Sequence, residues 1–196
     1  MTDDDLKAEL ERLEPFEGRC PWMYLDNAEH PNVTTGVGFL LASVDDAARL
    51  PWHHLDDGLL ATRDEIAADF MRVQGMRGGM LAAAYKGNLR LAPDDIDAEG
   101  IRRLRAMIAK LQEEFPGYEG FPEGVQASLL DLRWNVGSLL GWHHLRAACN
   151  AVPPDWQTAA TQCRTTNPSG NAQREHRNDW RSQAFLDAAV ADTIPG

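Results

Sequence analysis

The chain lacks any long hydrophobic run. Its apolar stretches, such as Gly38-Phe39-Leu40-Leu41-Ala42, last only a few residues, whereas a membrane-crossing helix needs about 20. A soluble protein without membrane partners is expected. Cysteine is sparse: Cys20, Cys149 and Cys163 form an odd set without metal-ligand spacing, which argues against a disulfide framework and leaves three thiols expected to be free and mostly buried. Basic charge is also scarce, with 19 Lys and Arg against 30 Asp and Glu and a net charge of -11. That balance disfavours nucleic acid, whose phosphates need a basic face. It is awkward for an anionic cell-wall polymer too, unless the cluster Arg174, Arg177 and Arg181 sets a locally positive cleft wall; the plainer expectation has these arginines facing solvent on the last helix. The histidine pairs His53-His54 and His143-His144 would diverge on a helix and come with no HExxH or Cys/His cluster, so no metal is expected. The acidic opening Met1-Thr2-Asp3-Asp4-Asp5 has neither the basic nor the apolar part of a secretory leader. Synthesis in the cytoplasm without a cleavable signal is therefore expected. No internal repeat or low-complexity linker is present.

At 196 residues and 43% hydrophobic content, one domain with a real core is expected. Helical periodicity appears first over residues 3 to 14, where Leu6, Leu10 and Leu13 share a face behind an acidic cap. Pro15 is expected to end or kink this helix before Phe16, leaving Glu17 at its end on the buried face. From Trp22 to Leu41 the helical period vanishes. Asn27, His30-Pro31-Asn32, Gly36 and Gly38 mark turns of a small hairpin or three-stranded sheet. Thr62 to Glu65 is a capping box for a helix over about 63 to 75, and a short helix follows near 80 to 86. A polar connection through Pro93-Asp94-Asp95 precedes the clearest helical stripe, Ile101, Leu104, Ile108, Leu111 and Phe115. Pro122 in a first turn opens an almost wholly apolar helix that Gly137 closes, expected as the central, enclosed one. Three more helices are expected over 139 to 149, 155 to 164 and 171 to 191. The fold class is α+β, mainly α.

Chemistry concentrates in Phe16-Glu17-Gly18, Tyr24-x-Asp26 and Thr34-x-Gly36-x-Gly38. Glycoside cleavage needs two carboxylates in unlike surroundings, one holding its proton as acid while the other stays ionised. Glu17 beside Phe16 suits the first role and Asp26, in a polar turn-rich segment, the second. Thr34 offers a hydroxyl to hold water, with Thr35 as a rival. The Gly-x-Gly pair is not a nucleotide loop, because Leu41 stands where a third glycine would and no βαβ unit surrounds it.

Together with Leu129-Leu130-Asp131-x-x-Trp134-Asn135-x-Gly137 and Arg174-x-x-Arg177, these pieces resemble, in order, the phage-type lysozymes of glycoside hydrolase family 24. The resemblance covers the two ends of the chain; residues of about 42 to 121 match only as generic helices. It implies a single lysozyme-like domain over 1 to 196, with a small β-containing lobe of about 15 to 75. Residues 1 to 14 and about 76 to 196 would form a helical lobe around the buried central helix. It also implies Glu17 as general acid, Asp26 and Thr34 positioning water, and Arg174 and Asn135 supporting the acid, with the Arg174 guanidinium reaching the Glu17 carboxylate. Leu40 and Trp134 would contact sugar, though both also suit core packing.

The activity implied is a muramidase cleaving the bond between N-acetylmuramic acid and N-acetylglucosamine in the peptidoglycan glycan strand, without a cofactor. Its action would lie in the periplasm or at the cell wall, after release as an endolysin or delivery as an antibacterial toxin. An immunity protein would be a partner only in the second case. The alternative expectation is a catalytically weak peptidoglycan-binding or structural module of a phage or secretion assembly.

Overall fold

The computed structural model describes residues 1–26, 30–167 and 169–193; Asn27, expected as a turn residue, lies outside these. The described chain is mainly helical with a small antiparallel sheet. It divides into two compact units, residues 1–103 and 104–196.

In the first unit, α1 spans Asp3–Glu17, capped by Thr2 and Asp5 in a reciprocal box. It runs past Pro15 instead of ending before Phe16. A proline this close to the C-terminus forfeits one hydrogen bond, and the Gly18 N–H still closes the last turn on the Glu14 carbonyl at 2.7 Å. Leu6, Leu10 and Leu13 are buried. Strands β1 (Cys20–Leu25), β2 (Val33–Gly36) and β3 (Phe39–Leu40) then form a three-stranded antiparallel sheet in chain order. After α2 (Val44–Ala47), strand β4 (His53–His54) pairs with β5 (Leu89–Arg90). The histidine pair thus stands on a strand, where neighbours point to opposite faces: His53 meets Asp95 and His54 meets Glu65, each at 3.3 Å.

Between these strands lies α3 (Arg63–Gln74), begun by the Thr62–Glu65 box and burying Ile66, Phe70 and Val73. A 3₁₀ turn follows at Ala82–Tyr85. Trp52 is fully buried, its indole N–H donating to the Ala47 carbonyl at 2.8 Å.

Helix α4 runs from Pro93 to Glu114, eight residues earlier than the apolar stripe from Ile101 suggests. Pro93 fits a first turn because its fixed φ is helical and its missing N–H has no partner there. Asp94 and Asp95 add favourable first-turn charge, and the Asp95 carboxylate accepts the Ala92 N–H at 3.3 Å. Within the first unit, Gly100 of α4 admits α1: a Cβ there would meet Leu10 Cδ2 at 2.5 Å.

In the second unit, Pro122 is the N-cap of α5 (Glu123–Val136) and Gly137 its C-cap. Val125, Leu129, Leu130 and Leu132 are buried, but enclosure loosens at the last turn, where Trp134 is half-buried and Asn135 and Val136 are exposed. Helices α6 (His143–Cys149), α7 (Trp156–Gln162) and α8 (Ala172–Ala191) follow. Trp156 packs edge-on against Phe121, with ring centres 5.1 Å apart, and lies beside Phe185. Its N–H donates to Asp192 at 2.9 Å. All three cysteines are free and buried.

Among the described residues no helix is long and apolar enough to cross a membrane.

Candidate active site

Three successive pieces of the first unit build the site. The last turn of α1 delivers Glu17, half-buried, and Gly18 at φ +75° turns the chain into β1. Tyr24 of β1 lies opposite Thr34 of β2, which lies opposite Leu40 of β3. Residues paired directly across antiparallel strands project to one face, so Tyr24, Thr34 and Leu40 share it. Asp26 follows the last residue of β1 directly.

Asp26 is held by Asn32. The Asn32 N–H donates to Asp26 Oδ1 at 3.0 Å and its side-chain amide to Oδ2 at 3.2 Å. In return the Asp26 N–H donates to the Asn32 carbonyl at 3.0 Å. The Thr34 hydroxyl donates to that same carbonyl at 3.3 Å, which ties Thr34 and Asp26 to one peptide group. Thr35 points the other way: it is fully buried opposite Phe39, and its hydroxyl donates to the Cys20 carbonyl at 3.2 Å. Of the two rival threonines, Thr34 is the one that shares a partner with Asp26.

Glu17 meets this sheet at the β2–β3 turn. Gly36 and Gly38 both have positive φ, +58° and +70°. Glycine adopts such backbone angles without the clash that a Cβ brings. Gly38 has a second reason to be glycine, since a Cβ there would lie 3.3 Å from Glu17 Oε2 and 3.7 Å from Glu17 Cβ. The turn backbone therefore stands directly against the candidate acid.

Tyr24 feels the charge of both carboxylates. Burial pushes its phenol up to about 12, and the charges of Cys20, Glu17 and Asp26 act in the same direction. The phenol is thus half-buried within electrostatic reach of both acids and keeps its proton at neutral pH. Leu40 is 47% exposed, an apolar side chain presented on the face that carries Thr34. Its carbonyl accepts from Arg103 at 3.2 Å, and the same guanidinium lies 4.9 Å from the Phe39 ring centre; both contacts fix β3.

The remaining expected residues belong to the second unit. Trp134 and Asn135 close α5, and Arg181 donates to the Asn135 side-chain oxygen at 3.5 Å. Arg174 is exposed in the first turn of α8 and donates to the Thr166 carbonyl at 3.2 Å. Arg177 and Arg181 do not face solvent as expected; both are buried and converge on the buried carboxylate of Asp131. Taking two guanidiniums out of water needs an anion, and Asp131 of α5 is that anion.

One residue of the site escapes the sequence motifs: Asn32 reads only as a turn former, yet it is the partner that orients Asp26. Tyr24 stands within the Tyr24-x-Asp26 motif, which gives it no role of its own.

No family model, curated protein or solved structure matches this chain.

Proposed function

We propose that the protein is a lysozyme-like glycoside hydrolase, a muramidase acting on the peptidoglycan strand at the cell wall. The observation that carries this reading is a pair of carboxylates in unlike settings on successive pieces of the first unit. Glu17 abuts a glycine turn at a helix end, and Asp26 accepts two N–H donors from Asn32 beside a threonine hydroxyl.

In this reading Glu17 donates its proton to the glycosidic oxygen as the bond to the anomeric carbon breaks. Asp26 and Thr34 orient a water, whose oxygen forms the new bond from the opposite side and whose proton passes to Asp26. Water attack of this kind inverts the anomeric centre. Leu40 supplies an apolar surface for a sugar ring. No step needs a cofactor.

The test is cleavage of purified peptidoglycan by the native chain and by Glu17→Gln, a near-isosteric change that removes the proton donor. Loss of cleavage by about 10²-fold or more is expected, with unchanged thermal unfolding. New reducing ends of inverted configuration are the expected product. Anhydro-sugar ends would point instead to a lytic transglycosylase. A covalent sugar adduct trapped on Asp26 would overturn the role of that residue, and retained activity in Glu17→Gln would remove Glu17 as the acid. Binding of sacculi with no cleavage by the native chain would leave a wall-binding module.

A further inference from the structure

A cavity of about 510 Å³ opens within the first unit beside the end of α1, inside the range of small-ligand clefts, about 300–1,000 Å³. Pro21, Leu91 and Ile96 give it an aliphatic lining, and its polar side carries two guanidiniums, Arg19 and Arg90, with the imidazole of His53. Two of these three groups already have partners. Arg19 donates to Glu14, Asp97 and the Pro93 carbonyl. The ring nitrogens of His53 face the Gly58 carbonyl at 3.1 Å and Asp95 at 3.3 Å. Arg90 differs: it lies opposite His53 in the β4–β5 ladder, is exposed, and among the described residues no carboxylate pairs with it.

A guanidinium beside an aliphatic lining fits a small carboxylate that carries short alkyl groups, because the planar fork of Arg matches a carboxylate in two parallel hydrogen bonds. The protein as a whole is strongly acidic, so such a ligand would be repelled over most of its surface, and this rim is a local exception. The cavity also begins next to the candidate acid. Arg19 follows Glu17 by two residues, and two residues of backbone reach at most about 7 Å.

We infer that this cavity takes the free carboxylate end of a peptidoglycan stem peptide. Arg90 would bind the terminal carboxylate, and alanine methyl groups would lie on Pro21, Leu91 and Ile96. The inference rests on the muramidase reading and extends it from the glycan strand to the peptide that the strand carries. It predicts a preference for strands with uncross-linked peptides, whose terminal carboxylates are free.

The direct test is binding without catalysis, using the full chain with Glu17→Gln. It is titrated with synthetic L-Ala-γ-D-Glu-L-Lys-D-Ala and with the same peptide amidated at its C-terminus, while the backbone amide signals of Leu91 and Ile96 are followed by NMR. The free acid should shift these signals and bind at least tenfold more tightly than the amide. Arg90→Ala should remove that difference and Arg90→Lys should keep part of it. Equal binding of acid and amide, or an unchanged preference in Arg90→Ala, overturns the inference.

A second measurement separates it from the reading beneath it. With Glu17 intact, the ratio of cleavage rates on peptide-bearing and peptide-stripped strands should fall about tenfold in Arg90→Ala. Peptide binding with no cleavage of either strand by the native chain would overturn the muramidase reading and support the peptide site. Cleavage with an unchanged ratio and no peptide binding would support the muramidase and overturn the site.

Discussion

Gly38 meets two demands that substitution can separate. Its φ of +70° penalises any side chain, and its missing Cβ leaves room for the Glu17 carboxylate. Gly79 meets only the first, since φ is +75° and nothing lies within 4 Å of an added Cβ. Both alanine variants should lose about 1–2 kcal/mol of stability, measured by chemical denaturation. On the muramidase reading proposed above, only Gly38→Ala should also lose wall cleavage, because only there does the new methyl press on the Glu17 carboxylate; equal activity in the two variants would remove Gly38 from the candidate site. At this scale the ordered motif groups Glu17, Asp26 and Thr34, and in the structure Asp26 and Thr34 both donate to the Asn32 carbonyl. Asn32 was not legible as the Asp26 partner, because that pairing depends on a cross-strand register that no single strand encodes. Arg177 and Arg181 were misread for a related reason: arginine on an otherwise polar helix looks solvent-facing until the buried Asp131 on another helix is known.

Among the elements, the contact of α5 with α8 through Asp131 is one that a single substitution can unmake. Asp131 is fully buried and both of its arginine partners are buried with it. Burial draws the Arg181 guanidinium below its ordinary value, while the Asp131 charge pulls the other way. Asp131→Ala would leave two guanidiniums facing each other without an anion, a loss of about 3–5 kcal/mol by analogy with other broken buried pairs. Arg174→Ala, at an exposed position on the same α8, should stay within about 0.5 kcal/mol of the parent. Denaturant midpoints for the two variants check the contrast, and a mild Asp131→Ala would mean that the arginines find other partners. Most elements were legible because their signals are local: the Thr62–Glu65 box opens α3 and Gly137 closes α5. Proline is the exception: by type alone Pro15 reads as a breaker and Pro93 as part of a linker, whereas position within the turn decides its effect, and both prolines sit at helix ends where the cost is small.

For the whole molecule, charge and buried thiols make opposite kinds of pH and salt behaviour testable. Burial pushes Cys149 up to about 12 and Cys20 and Cys163 up to about 11, against an ordinary thiol near 9; Tyr24 rises to about 12. In each case the folded state holds its proton more tightly than the unfolded chain. The resulting stability is complete below about pH 9 and is lost as pH rises through 11 to 12. Denaturant midpoints at pH 8, 10 and 11 should therefore fall in that order, and Cys149→Ala should flatten the trend. On the proposed muramidase reading, salt should raise the affinity for sacculi. The chain carries -11, so its repulsion from an anionic polymer extends about 30 Å at 0.01 M salt and about 8 Å at 0.15 M. KM on sacculi should fall between those two conditions; a rise would mean that local positive groups dominate the encounter.

The buried indoles described with the fold give each unit its own optical label. Trp52, sealed in the first unit with its N–H on Ala47, and Trp156, wedged beside Phe121 and Phe185 in the second, are buried, whereas Trp22, Trp134, Trp142 and Trp180 are half-buried. Replacing those four by phenylalanine, and then one or the other of the buried pair, leaves a single emitter. The red shift of its fluorescence on exposure to water then times the opening of residues 1–103 in one protein and of residues 104–196 in the other.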